Sequence, residues 1–329
     1  IGGIKMHAAI DVLYRRNHIH HCTRGIWLDW QAQGTRVTQN LFHDNTLPNL
    51  GEDPAPEALQ GMGEDIFVEV SHGPTLIDNN LLLSTRSLKL AAQGIAVVHN
   101  LIGGSLTCVG KGTDNGAPNL PSPRYTPYHV PHRTEVMGFM TILHGDDRFY
   151  NNIFVQKWPP EDFVTIRDSS EGFDTENRKA GTWVFDGYPT YEEWIAQFDF
   201  SKPADMAKLY PAHEGHLPVW SEGNVYLNGA KAWEHEKNGL TVSEKVKVDL
   251  VERDGNYMLE TNLYEVLGGF SSRMINTEVL GKAFEPEEPF ENPDGTPIQF
   301  DMDYFGGHRG AGVLPGPFAA KEDAEKKLY

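Results

Sequence analysis

Two cysteines, Cys22 and Cys108, are all that 329 residues contain, so no disulfide framework organises the chain. Basic residues are also scarce: 28 Lys and Arg against 46 Asp and Glu leave a formal net charge of −18. That balance argues against nucleic acid, whose phosphates need cations, and against an anionic membrane surface. No apolar run approaches the roughly 18 residues of a membrane-spanning helix. No Asn-x-Ser/Thr acceptor occurs, and the first residue is Ile1 rather than Met. The chain opens inside a repeat, so a preceding segment is expected, and a cytoplasmic location is the expectation. Apolar residues make up 39% of the chain, enough to bury a core.

What is present is a recurring Asn followed by apolar residues: Asn17-His-Ile-His, Asn40-Leu-Phe-His, Asn80-Leu-Leu-Leu, Asn100-Leu-Ile-Gly and Asn152-Ile-Phe-Val. The spacings are 23, 40, 20 and 52 residues. Two are one coil long, and two are a coil with an inserted loop, at 45–64 and 103–133. Gly34, Gly73, Gly94 and Gly145 each lie six residues before an Asn and mark bends that need a positive φ. Short period-two strands at this spacing predict a right-handed parallel β-helix over 1–158, with Asn capping turns. That alternation excludes helical repeats.

From 159 to 218 the pattern stops, and an irregular connector is expected with one helix, Tyr191 to Phe198, capped by Thr190. Beyond 219 the texture changes. Val246 to Arg253, the turn Asp254-Gly255 and Tyr257 to Thr261 predict a hairpin. Val279-Leu280 and Ile298 to Tyr304 read as further strands. An additional antiparallel β-sandwich domain over 219–329 is therefore expected, making the chain all-β. The Lys- and Glu-rich end, 321–329, reads as a solvated tail or short helix.

Two carboxylates hold the same phase of the repeat. Eleven places before Asn40 lies Asp29, and eleven before Asn80 lies Glu69; the same step from Asn100 reaches Lys89. Each sits between apolar residues, in Trp27-Leu28-Asp29-Trp30, Phe67-Val68-Glu69-Val70 and Ser87-Leu88-Lys89-Leu90. With Leu28, Trp30, Val68 and Val70 pointing inward, both acids share one outer face. Adjacent strands lie roughly 4.8 Å apart, close to the roughly 5–5.5 Å separation of the carboxyl pair in retaining glycosidases. That requires the insertion at 45–64 to add no coil. Trp27 and Gln31 flank Asp29, Ser71 and His72 follow Glu69, and Lys5 and His7 point outward one rung before Asp29. Aromatic rings beside hydrogen-bonding groups suit a sugar. Solvated surface charge is the bland reading of the same pattern.

Other motifs carry less. His18, His20 and His21 have no acid or Cys at familiar zinc spacing. His213-Glu214-Gly215-His216 falls one residue short of His-Glu-x-x-His. Gly110 to Gly116 resembles a phosphate loop only in its glycines. Asp168, Glu171, Asp174 and Glu176 match no calcium-loop spacing.

At Gly25-Ile-Trp-Leu-Asp29-Trp-Gln-Ala-Gln-Gly34-Thr-Arg-Val and Asp65-Ile-Phe-Val-Glu69-Val-Ser-His-Gly-Pro74-Thr-Leu the chain resembles glycoside hydrolase family 120, the β-helix β-xylosidases. The resemblance runs through 1–158. It implies Asp29 as nucleophile, Glu69 as acid/base, retention of configuration, and a parallel β-helix combined with a β-sandwich. The insertion at 45–64 departs from the family. Family members extend further on the N-terminal side, so an N-terminal portion of the same polypeptide is an expected partner, supplying sugar contacts and covering the sheet edge. The expected substrate is a xylo-oligosaccharide or other pentoside, arabinose included, bound by Lys5, His7, Trp27, Gln31, His72 and Lys89. The segment Tyr128, His129, His132 and Arg133 is expected to close over it. No cofactor and no metal are assigned, and a homo-oligomer is expected. Two rival readings stay open: a β-helix polysaccharide lyase with Lys89 as base and the acids as metal ligands, and a non-catalytic carbohydrate-binding or adhesion β-helix.

Overall fold

A computed structural model describes residues 2–46, 63–108, 124–158, 180–198, 201, 215–310 and 312–329. Successive coils each contribute three short strands: β1 (Ile4–His7), β2 (Leu13–Arg15) and β3 (His18–His20); β4 (Ile26–Asp29), β5 (Thr35–Thr38) and β6 (Leu41–His43). Then follow β7 (Glu64–Glu69), β8 (Thr75–Asp78) and β9 (Leu81–Leu82), and β10 (Arg86–Ala91), β11 (Ile95–Val98) and β12 (Leu101–Ile102). Strand β13 (Ser105–Cys108) precedes a hairpin of β14 (Tyr125–His129) and β15 (Val136–Thr141), after which β16 (Asp147–Tyr150) and β17 (Ile153–Val155) resume the stack. The strands β18 (Val219–Glu222), β19 (Val225–Leu227) and β20 (Leu240–Thr241) extend it.

Among the described residues these form three parallel sheets, ordered β1-β4-β7-β10-β13, β2-β5-β8-β11-β16-β18 and β3-β6-β9-β12-β17-β19-β20. The architecture is all-β and of the parallel β-helix type. Alternation explains it: Ile26, Leu28, Ile66, Val68, Leu88 and Leu90 of the first sheet meet Val37, Ile77 and Val97 of the second and Phe42, Ile102 and Phe154 of the third in one buried core.

The marker asparagines form a ladder. Asn40 Oδ1 accepts from both the backbone and side-chain nitrogens of Asn17, and the same paired bonds, 2.8–3.0 Å, join Asn40 to Asn80, Asn80 to Asn100, Asn100 to Asn152 and Asn152 to Asn224. Asn224 is a rung that the repeat count over 1–158 did not reach. The bends also match expectation. Gly73 and Gly94 have φ of +72°, and a Cβ built on Gly73 would lie 2.1 Å from the Gly94 carbonyl oxygen. Only a residue without a side chain stacks that closely.

The boundary expected at 219 falls inside this stack, because β18, β19 and β20 pair in parallel with the strands before them. Among the described residues beyond 246 there is no second sheet to make a sandwich. There is one hairpin, β21 (Val248–Arg253) and β22 (Asn256–Thr261), with Asp254 and Gly255 both at positive φ as its turn requires. Val279 and Leu280 lie in a short helix, Thr277–Leu280, capped by Asn276, rather than in a strand. Gln299 and Met302 make only isolated bridges. The alternating apolar residues there have another use. Ile275, Leu280, Phe290, Ile298 and Phe300 cover the outer face of the second sheet, on Leu76, Ala96, Val98 and Tyr150. The hairpin, with Leu263, Tyr304, Phe318 and Leu328, covers the outer face of the third, on Leu41, Leu81, Leu101, Ile153 and Val225. The chain end is thus packed, through a 3-10 turn at Lys321–Glu325 and Leu328 N–H donating to the Tyr257 carbonyl.

The helix foreseen for Tyr191 to Phe198 is shorter, Tyr191–Ile195, with the Thr190 capping box in place. The motifs at 110–116, 168–176 and 213–214 lie outside the described residues. No helix among the described residues is long and apolar enough to cross a membrane.

Candidate active site

Among the described residues, the third outer face, that of the first sheet, carries charge instead of an apolar cover. Strands β4 and β7 pair directly, with Asp29 in register with Glu69, so no rung stands between them. Outward positions form two columns. One is His7, Asp29, Glu69 and Ala91; the other is Lys5, Trp27, Phe67 and Lys89.

Asp29 is nearly enclosed, its side chain 6% exposed, and its Oδ2 meets Lys5 Nζ at 2.9 Å and His7 Nε2 at 3.1 Å. Lys5 Nζ also sits 3.7 Å above the Trp27 ring, which fixes it between the indole and the carboxylate. The Glu69 side chain is 13% exposed; its Oε2 accepts from Trp27 Nε1 at 2.8 Å and its Oε1 from Arg124 at 2.5 Å. Trp27 stacks on Phe67 with ring centroids 5.6 Å apart. A shelf of two rings therefore lies beside two held carboxylates.

Directly after each acid the backbone turns left-handed: φ is +43° at Trp30, +66° at Gln31 and +46° at Val70. A β-branched residue rarely occupies that region, so Val70 marks local strain at the pair. The turn also corrects an expectation. Trp30 does not point into the core; its ring lies on the outer side with the Arg124 guanidinium 5.3 Å from its centre.

Lys89 does not stack on Glu69. Five residues separate Glu69 from β8, but three separate Ala91 from β11, so the step back from Asn100 reaches the acid column at Ala91 instead. Lys89 falls two places away, above the Phe67 ring and 3.9 Å from Glu64 Oε1, where Arg24 also pairs with Glu64.

The hairpin β14–β15 lies across the loops after the two acids. Gln31 Oε1 meets His129 Nε2 at 3.2 Å. His72 is buried, held between Gln93 and the Thr126 carbonyl, with Tyr128 edge-on to its ring, and burial pushes its pKa down to about 4. It is a neutral anchor for the hairpin. His132 turns to Asp11 and Glu291, and exposed Arg133 pairs with Glu135. Arg124, immediately before β14, is the residue of this arm that reaches Glu69. No spacing signal marks it, because it enters from 55 residues away after a long insertion. The histidines at 18, 20 and 21 gather with His43 on the third sheet, away from the acid pair.

No protein-family model matches the chain, and no curated protein matches it. Among solved structures, it is similar to one described as "The complex structure of XylC with xylose", with 32% identity and a TM-score of 0.79. The match covers 100% of this chain and 45% of that one, so the chain spans less than half the length of its neighbour.

Proposed function

We propose that this chain carries the reaction centre of a retaining exo-glycosidase of family 120 that releases xylose from short β-xylosides. The observation that carries the reading is the in-register Asp29–Glu69 pair on adjacent parallel strands, on a sheet face that has no apolar cover among the described residues. A spacing near one strand separation fits double displacement, because an interposed water needs more room. The xylose in the neighbouring structure supports a sugar ligand of this size.

In this reading Asp29 attacks the anomeric carbon while Glu69 protonates the departing glycosidic oxygen. Water then hydrolyses the glycosyl ester, giving its proton to Glu69, and the configuration is restored. Lys5 and His7 fix Asp29 Oδ2, and Trp27 and Arg124 orient Glu69. Trp27 and Phe67 stack on each other with Lys5 over one ring and Lys89 over the other, so this column offers a sugar cationic donors and ring edges. Against the lyase alternative, Lys89 stands in the other column of the sheet, beside Glu64, rather than above Glu69.

The test is turnover of an aryl β-xyloside by wild type, Asp29→Gly and Glu69→Ala, with and without azide. Retention predicts an α-azide product from the nucleophile variant and a β-azide product from the acid/base variant. Undiminished turnover in both variants refutes the assignment, and no hydrolysis by the wild type, with sugar binding intact, would favour the adhesion reading.

A further inference from the structure

Beneath the hairpin lies a second cluster of ionisable groups that the proposed sugar chemistry does not use. One oxygen each from Asp11 and Glu288 and one ring nitrogen of His132 lie within 4.8 Å of one another. They come from three distant places: the β1–β2 turn, the tip of the β14–β15 hairpin, and the segment after the Thr277–Leu280 helix.

Glu288 makes this more than an acidic patch. Its side chain is fully buried, yet Oε1 has no hydrogen-bond partner, while Oε2 accepts from Gln33 Nε2 at 2.6 Å. A buried carboxylate oxygen without a donor is costly, and it is the geometry a cation resolves. The free oxygen is also aimed at the other donors. A Cβ built on Gly34, whose φ is +64°, would lie 2.1 Å from Asp11 Oδ1 and 2.9 Å from Glu288 Oε1. The two carboxylates converge over the bare Cα of a glycine.

His132 is arranged as a ligand with its own support. Nδ1 lies 3.0 Å from Asp11 Oδ1, and Nε2 lies 3.1 Å from Glu291 Oε1. An imidazole that binds metal through one nitrogen commonly donates its other N–H to a carboxylate, which Glu291 supplies here. Two carboxylates and one imidazole suit a borderline divalent ion, zinc before calcium, because calcium takes oxygen ligands almost alone.

We propose that Asp11, His132 Nδ1 and Glu288 Oε1 bind a divalent transition-metal ion, zinc foremost, which pins the hairpin to the β-helix. Gln33 reinforces the same joint, since its amide donates to both Glu288 and the His129 carbonyl and accepts from the His129 N–H. The ion would hold in place the arm that brings Arg124 to Glu69. The proposal stands apart from the glycosidase reading, and its test reads metal and melting rather than turnover.

The test uses the whole chain, stripped with chelator, dialysed against limiting zinc, and assayed for bound metal and Tm. About one equivalent should be retained per chain, with a higher Tm than in chelator, since an ion bound only to the folded form stabilises it. His132→Gln and Glu288→Gln should each abolish retention while keeping the wild-type far-ultraviolet circular dichroism. Glu291→Gln should keep the stoichiometry at saturation but weaken binding about 10- to 100-fold. His20→Gln/His21→Gln controls for the separate histidine group and should leave retention unchanged. Absence of retained zinc and a Tm indifferent to chelator would overturn the proposal, leaving His132 as an imidazolium between Asp11 and Glu291. Uptake lost in the His20/His21 variant but kept in the other two would overturn it equally.

Discussion

The indole N–H of Trp27 donates to Glu69 Oε2 at 2.8 Å, reaching diagonally from the neighbouring column of the sheet. Trp27 thus joins both acids: it binds one directly, and its ring carries the Lys5 ammonium that binds the other. Trp27→Phe keeps a ring on Phe67 but deletes that bond to Glu69. A hydrogen bond to a charged group contributes roughly 1.5–3 kcal/mol, so kcat on an aryl β-xyloside should fall about 10- to 100-fold. The Tm should change little, and steady-state kinetics with a melting curve check both halves.

Arg124 offers a second, separable test. It carries a charged hydrogen bond from the hairpin arm to Glu69, and its guanidinium also lies over Trp30. Arg124→Leu should lower kcat/KM about 10- to 100-fold by leaving Glu69 oriented from one side only. Arg124→Lys should recover only part of the loss, because an ammonium lacks the planar fork that spans carboxylate and indole. Equal activity in all three proteins would remove Arg124 from the site.

How much of this was legible in the sequence depends on whether a residue is placed by the repeat. Asp29, Glu69 and the Asn ladder were, since the two acids stand at equal steps from rungs that pair in register. The same count failed at Lys89, where the following turn is two residues shorter than the turn after Glu69. Trp30 was misdirected because period-two alternation holds only while the backbone stays extended, and it turns left-handed there. Arg124 carries no phase at all. Ile298 and Phe300 have the alternation of a strand because they lie on a sheet face, yet they pair with no partner strand. A sandwich and an apolar cover over a β-helix draw on the same apolar residues.

The ladder itself predicts where the fold is most sensitive. Asn80 is fully buried; its Oδ1 accepts two bonds from Asn40, and its Nδ2 donates to Asn100 and to the Val37 carbonyl. Asn80→Ala orphans groups on both neighbouring rungs, and each buried orphan costs about 1–3 kcal/mol. A loss of about 3 kcal/mol is expected in denaturant unfolding. Ser243→Ala, at an exposed position, should cost far less.

A last prediction concerns pH. Burial raises the Glu285 carboxyl from 4.5 to about 7, and the charge of Asp146 adds to the effect. The folded chain therefore binds a proton that the unfolded chain has released across that window. By linkage, stability falls as pH rises from about 4.5 to about 7, and the contribution of the neutral acid is fully present only below the window. Glu285→Gln holds the side chain neutral at every pH. Its Tm should match that of the wild type at pH 4.5 and exceed it at pH 8, where the wild type carries the buried charge. Melting curves at the two pH values decide this, and an equal Tm at pH 8 would mean that Glu285 finds solvent or a cation in the folded state.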